Sequence, residues 1–212
     1  MRRLLLCVVV MLSVSLTMKT LAEVNDKDVD VNKIKEVCAG CHGLNGNSTV
    51  STYPKLAGQH ATYLYKQLKE IKSGERVIPL MTGQLDALDD SQLKSLADFY
   101  SQQTNQQLSA VDEKLKALGE KVYRVGNIEK GLPACTGCHS PTGQGNSAAV
   151  FPVLAGQHAS YIVSSLKSFR KGAEYKGEGR SNDKMKGVMR TIALKMSDKE
   201  IDAVASYISS LH

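Results

Sequence analysis

The chain has 212 residues, with 27 Lys and Arg against 21 Asp and Glu, for a formal charge of +6. The basic residues are dispersed rather than gathered into a patch, which argues against nucleic-acid binding. Beyond the first 22 residues no stretch is long and apolar enough to span a bilayer.

Residues 1–22 read as a secretory signal peptide. Arg2 and Arg3 precede an apolar run from Leu4 to Leu16, and small residues at Thr20 and Ala22 mark cleavage after Ala22. The alternative is an uncleaved anchor, but this run falls short of the roughly 20 residues a spanning helix needs. Export is expected, and removing the segment removes Cys7, which leaves two Cys-x-x-Cys pairs. The remaining charge is uneven. Residues 23–110 hold nine basic and eleven acidic side chains, and residues 111–212 hold fifteen and ten. A lengthwise dipole of −2 against +5 suits electrostatic orientation toward a partner.

Past the signal, the chain is an internal repeat. In residues 23–100, "CAGCH" at Cys38 is followed by "PKLAGQHATYL" at Pro54. Leu64, Leu68 and Ile71 then fall on one face of a predicted helix that Gly74 ends. "VIPLMTGQ" carries Met81, and Leu93, Leu96, Ala97 and Tyr100 mark a closing helix. The polar, Gln-rich residues 101–110 read as a linker. In residues 111–212 the order recurs: "CTGCH" at Cys135, "PVLAGQHASYI" at Pro152, and a helix face of Ile162, Leu166 and Phe169 that Gly172 ends. "GVMRTIALKMSD" carries Met189, and Ile201, Val204, Ala205 and Ile208 mark the last helix, opened by a Ser197/Glu200 capping box. No segment shows sustained alternation of apolar and polar residues. The expected fold is therefore all-α, two small helical domains in tandem, each with a core so modest that a large buried cofactor would help it fold.

Cys-x-x-Cys-His on a helical turn suits covalent haem attachment. Each thiol adds to one vinyl group, and the following His reaches the iron. Cys38, Cys41, Cys135 and Cys138 are the attachment candidates, with His42 and His139 as axial ligands. Met81 and Met189 both stand nine residues before the aligned Asp90 and Asp198, and are the candidates for the opposite axial position. In the second half Met185 and Met196 compete. Met196 aligns with Leu88 and reads as core, and Met185 has no counterpart. A single structural zinc held by four thiols is the rival reading, but it leaves both adjacent histidines and the duplicated framework unexplained. A thioredoxin-type redox pair wants a strand–helix context that is absent.

Supporting residues follow from the repeat. Pro54 and Pro152 stand twelve and thirteen residues after the ligand histidines, placed to offer a carbonyl to the other ring nitrogen. Arg76 and Arg180 precede the two methionines and are candidates for pairing with haem propionates, or else are solvated. His60 and His158 in "AGQHA" are rival axial ligands, set aside because each half already offers a methionine.

With "CAGCH", "CTGCH", the paired "LAGQHA" segments, "GRSNDKMKGVMR" and "MSDKEIDAVASYI", the chain resembles the dihaem cytochrome c4 family over nearly all of its length after the signal. The resemblance implies two cytochrome c-like domains related by a pseudo-twofold axis, each around one covalent c-type haem. It also implies a periplasmic electron carrier, soluble or peripherally membrane-associated, between a quinol-oxidising complex and a terminal oxidase. One departure stands out: the stretch from Gly172 to Met189 is ten residues longer than that from Gly74 to Met81. The alternative function is the haem subunit of a dihaem oxidoreductase or flavoprotein dehydrogenase complex. An enzyme of this kind would normally need an open axial position or an unusual ligand.

Overall fold

The computed structural model describes residues 31–106, 112–175, 179–183 and 187–212. Residues 1–22, expected as a signal peptide, residues 107–110 of the expected linker and Met185 lie outside the described residues. Within them the chain is helical, with no strand and only two isolated bridges, Asn127 with Leu132 and Asn146 with Phe151.

The first half comprises α1 (Val31–His42), α2 (Ala61–Lys72), a 3-10 turn at Pro79–Met81 and α3 (Asp90–Ser101). Helix α3 packs on α1 and α2 and buries Leu93, Leu96, Ala97 and Tyr100, the expected apolar stripe. These four pack with Ile34, Leu64, Leu85 and Leu88. Asp89 caps α3 by accepting from the Gln92 amide, while Gln92 accepts from the Asp89 amide.

The second half comprises α4 (Glu113–Arg124), a 3-10 turn at Ile128–Lys130, α5 (Thr136–His139), α6 (Ala159–Glu174), α7 (Val188–Leu194) and α8 (Asp198–Ser209). Helix α8 crosses α4 and α6, and its Ile201, Val204 and Ile208 join Val122, Tyr123, Ile162 and Leu166 in one core. The Ser197/Glu200 capping box opens α8 as its sequence indicates. Gly119 allows the α4–α8 crossing, because a Cβ there would sit 2.2 Å from the Ala203 carbonyl oxygen. The halves differ at their attachment motifs. In the first, the motif is the last turn of α1; in the second, a loop separates α4 from the short α5.

One expectation is overturned. Gly74, at φ +77°, follows the end of α2, but Gly172 lies buried inside α6, which continues to Glu174. The glycine is required there by close approach rather than by termination: a Cβ would lie 2.3 Å from the Arg180 carbonyl oxygen.

The halves meet through matched residues. Gln59 accepts from the Val153 amide and donates to the Val153 carbonyl, both at 2.9 Å. Gln157 does the same with Lys55, again at 2.9 Å twice. Each residue of one pair stands 98 positions from its counterpart in the other, so the interface repeats the pseudo-twofold relation of the sequence.

Candidate haem sites

In each half one helical turn presents two thiols and the histidine after them. Cys38 and Cys41 lie three residues apart on α1 and end at His42; Cys135 caps α5, which carries Cys138 and ends at His139. All four thiols are free, although their spacing permits local disulfides. Burial pushes the Cys38 thiol above its ordinary value and the Cys135 thiol up to about 11, the opposite of what a nucleophilic redox pair needs. Among the described residues no three His, Cys, Asp or Glu side chains converge as a shared metal site requires. The two motifs are thus two sites and not one zinc centre.

Both histidines are buried, and each is held as its position after the thiols suggested. His42 Nδ1 donates to the Pro54 carbonyl at 2.9 Å, and His139 Nδ1 donates to the Pro152 carbonyl at 3.1 Å. A proton fixed on Nδ1 leaves Nε2 as the basic nitrogen a metal binds. Desolvation lowers both imidazole pKa values, partly opposed by the prolyl carbonyls, which keeps the rings neutral and competent to ligate. An aromatic ring flanks each: Tyr53 at 6.3 Å from His42 and Phe151 at 6.2 Å from His139, again 98 positions apart. Sequence reasoning missed this pair, although the repeat offset carries its signal.

Met81 ends the 3-10 turn before α3 and packs, with Cys38, against the first core. Met189 lies in the first turn of α7 and packs, with Cys135, against the second. Met196 is 4% exposed and belongs to that core, matching Leu88 in the first half. His60 and His158 face the interface: His60 Nε2 donates to the Gln144 carbonyl at 2.8 Å, and His158 Nε2 to the Ser48 carbonyl at 2.9 Å.

Arg76 and Arg180 are not simply solvated. Their amides bond the carbonyls of Glu70 and Ser168, repeat-related positions on α2 and α6, so the two arginines are structural equivalents. Each reaches the tyrosine of the opposite half: Arg76 donates to the Tyr161 hydroxyl at 2.9 Å, and Arg180 to the Tyr63 hydroxyl at 3.0 Å. Gln67 accepts from both guanidiniums. Burial would raise the Tyr161 phenol, but the two guanidiniums outweigh it and bring it down to about 8. Among the described residues this cluster gathers Lys66, Arg76 and Arg180 around the single carboxylate of Glu70. Such a surplus of half-buried positive charge fits the carboxylates that two haem groups would bring.

This fold, with its doubled thiol–thiol–histidine turns, defines a tandem c-type cytochrome. The Cytochrome c family model matches residues 32–111 and again 116–212. The chain is 45% identical to cytochrome c4 of Azotobacter vinelandii over 185 residues, covering 83% of this chain and 85% of that protein. It is 35% identical to a thiosulfate dehydrogenase electron acceptor of Thiomonas intermedia, covering 82% and 77%. The crystal structure of reduced recombinant cytochrome c4 from Pseudomonas stutzeri superposes with a TM-score of 0.79 at 42% identity, over 86% of this chain and 99% of that one. The chain belongs to the cytochrome c4 family. It is an electron carrier, not an enzyme, and holds two covalently bound c-type haems.

Proposed function

We propose that the protein carries electrons in a periplasmic respiratory chain, from a quinol-oxidising complex to a terminal oxidase. In this reading Cys38 and Cys41 hold one haem and Cys135 and Cys138 the other, with His42 and Met81, and His139 and Met189, as axial ligands. The haems supply reversible one-electron chemistry at iron. The chain does the rest. The prolyl carbonyls orient the two imidazoles, and the thioethers, as soft ligands, favour the reduced state. A histidine and a methionine on each iron would leave no position for substrate, as carrier work demands. Arg76 and Arg180 would offset the charge of the propionates.

The observation that carries the reading is the buried histidine with its Nδ1 on a prolyl carbonyl, directly after two free thiols, present in both halves. The signal-like segment at residues 1–22 supports export, and among the described residues no helix is long and apolar enough to cross a membrane. A redox-titrated optical spectrum of the holoprotein tests the ligand set. Two low-spin haems with the weak long-wavelength ferric band of sulfur ligation are expected; a high-spin component overturns it.

A second reading is favoured by the Thiomonas relative, whose name assigns it to thiosulfate dehydrogenase. On that reading the chain is the electron-accepting subunit of a dihaem oxidoreductase or a flavoprotein dehydrogenase. Purification from native membranes and periplasm separates the two, since a free carrier elutes alone and a subunit with its enzyme.

A further inference from the structure

The two halves carry matched contacts across the interface but differ on one helix face, at three repeat-related positions. On α2, Lys66, Gln67 and Glu70 face the second half; the repeat-related residues of α6 are Ser164, Ser165 and Ser168. The three long side chains grip one residue. Asn182 Nδ2 donates to Glu70 Oε2 at 2.7 Å and to Gln67 Oε1 at 2.9 Å, while Lys66 Nζ donates to the Asn182 carbonyl at 2.8 Å. Lys66 also pairs with Glu70 at 2.7 Å, and Arg180 Nε donates to Asn182 Oδ1 at 2.7 Å. Asn182 is 2% exposed.

The next residue closes the segment that carries Met189. Asp183 accepts from the Arg190 amide at 2.9 Å and from Arg190 Nε at 2.8 Å, and its carbonyl accepts from the Gly187 amide at 3.1 Å. Met189 lies inside this clasp, one residue before Arg190. Among the described residues the first half shows no reciprocal arrangement. Its Met81 segment is held by its own backbone, Ile78 to Met81 and Met81 to Gln84, and by Lys72 of the same half on the Leu88 carbonyl. Among the described residues, no hydrogen bond from the second half reaches residues 77–89.

We propose that Glu70, acting through Asn182, is a positioning residue for the second methionine ligand, so that the first half holds the Met189 segment of the second and not the reverse. The inference rests on Met189 being an axial ligand. The stretch from Gly172 to Met189 is the one that is ten residues longer than its counterpart, and within it Arg180 and Asn182 are held on α2. A longer loop costs more entropy to fix, and a buried carboxylate accepting from an amide that is itself held is a means of fixing it. The two haem sites are thereby unequal in how firmly their sulfur ligand is held.

Imidazole displaces a thioether from ferric iron, so titrating the ferric holoprotein with imidazole reads how firmly each sulfur is held. In Glu70→Ala and in Asn182→Ala the site that loses its sulfur band in Met189→Ala should bind imidazole about tenfold more tightly, the other staying as in the parent. Glu70→Gln keeps an acceptor for Asn182 and should stay within about threefold of the parent. Asn182→Ala keeps the Lys66–Glu70 pair and so guards against a fold defect from leaving Lys66 without its carboxylate. Unchanged affinity at both sites in both alanine variants, or equal change at both sites, overturns the proposal. Met189→Ala tests the reading beneath it: it should remove about half of the ferric sulfur band, whereas a full band discards Met189 as ligand independently of Glu70.

Discussion

Arg76 of the first half donates to the Tyr161 hydroxyl of the second at 2.9 Å, and Arg180 returns the contact to Tyr63 at 3.0 Å. A hydrogen bond to a charged group contributes roughly 1.5–3 kcal/mol, and this one joins two folding units rather than two turns of one helix. Tyr161→Phe or Tyr63→Phe alone should lower stability by about that amount. The double variant should weaken the coupling of the halves, so that heat unfolding in calorimetry becomes broader and lower in temperature than in the parent. A double variant that still unfolds with the parent's width and temperature would show that these contacts do not couple the halves.

Gln59 and Gln157 hold the interface differently, by pairing with backbone. Both are buried, and each satisfies the N–H and C=O of one residue opposite. Truncation to alanine strands two backbone groups, at roughly 1–3 kcal/mol for each buried group left unpaired. Gln59→Ala and Gln157→Ala should therefore destabilise by similar amounts, and urea unfolding of the two variants checks the equality. A cost confined to one of them would show that the pseudo-twofold relation does not extend to energetics.

The contacts around the two thiol–histidine turns were largely legible in the sequence because they are repeated. Cys38 and Cys135, His42 and His139, Pro54 and Pro152 recur at nearly constant offset, and the contacts from histidine to prolyl carbonyl follow their spacing. The apolar faces of α2, α3, α6 and α8 were legible because burial imposes a 3.6-residue period. The interface was not. A repeated side chain such as Gln59 or Tyr63 announces that it matters, but the repeat is the same whether the residue faces its own core or its twin. Gly172 illustrates a second limit. A glycine after a helical face reads as a stop, whereas the segment that passes 2.3 Å from its missing Cβ comes from eight residues further on. Asn182 shows a third, since its partners on α2 lie more than a hundred residues earlier and leave no periodic trace.

Two glycines test close approach directly. At Gly119 a methyl group would sit 2.2 Å from the Ala203 carbonyl oxygen and 2.8 Å from Tyr207 Cβ, so α8 would have to move off α4. Overpacking of a core in this way costs about 1–3 kcal/mol or more, and Gly119→Ala should lower the urea midpoint of the whole protein accordingly. At Gly172 the same substitution displaces the Arg180 segment instead. Its effect should fall on one haem site, lowering that reduction potential in a spectroelectrochemical titration with little change at the other. An equal shift at both sites would disprove the separation.

Glu200 closes the second half at the start of α8. Its carboxylate accepts from Lys130 Nζ at 2.7 Å, Asn127 Nδ2 at 2.9 Å and the Ser197 amide at 2.8 Å, tying the loop before α5 to the last helix. Burial alone would raise its pKa, but Lys130, the Ser197 amide and Asn127 more than compensate and bring it down to about 2. The folded-state value lies below the roughly 4.3 of an unfolded glutamate, so the unfolded chain takes up the proton first. The stabilisation is complete above about pH 4.3 and is lost as pH falls through about 2. The Glu200 side chain is 8% exposed but Lys130 is 42% exposed, so solvent screens part of the interaction and the contribution is on the order of 1–3 kcal/mol. Urea unfolding of the holoprotein at steps from pH 6 to pH 2 should show this acid limb, and Glu200→Gln should flatten it while lowering stability at pH 6. A variant whose acid limb matches the parent's would assign the limb to other carboxylates.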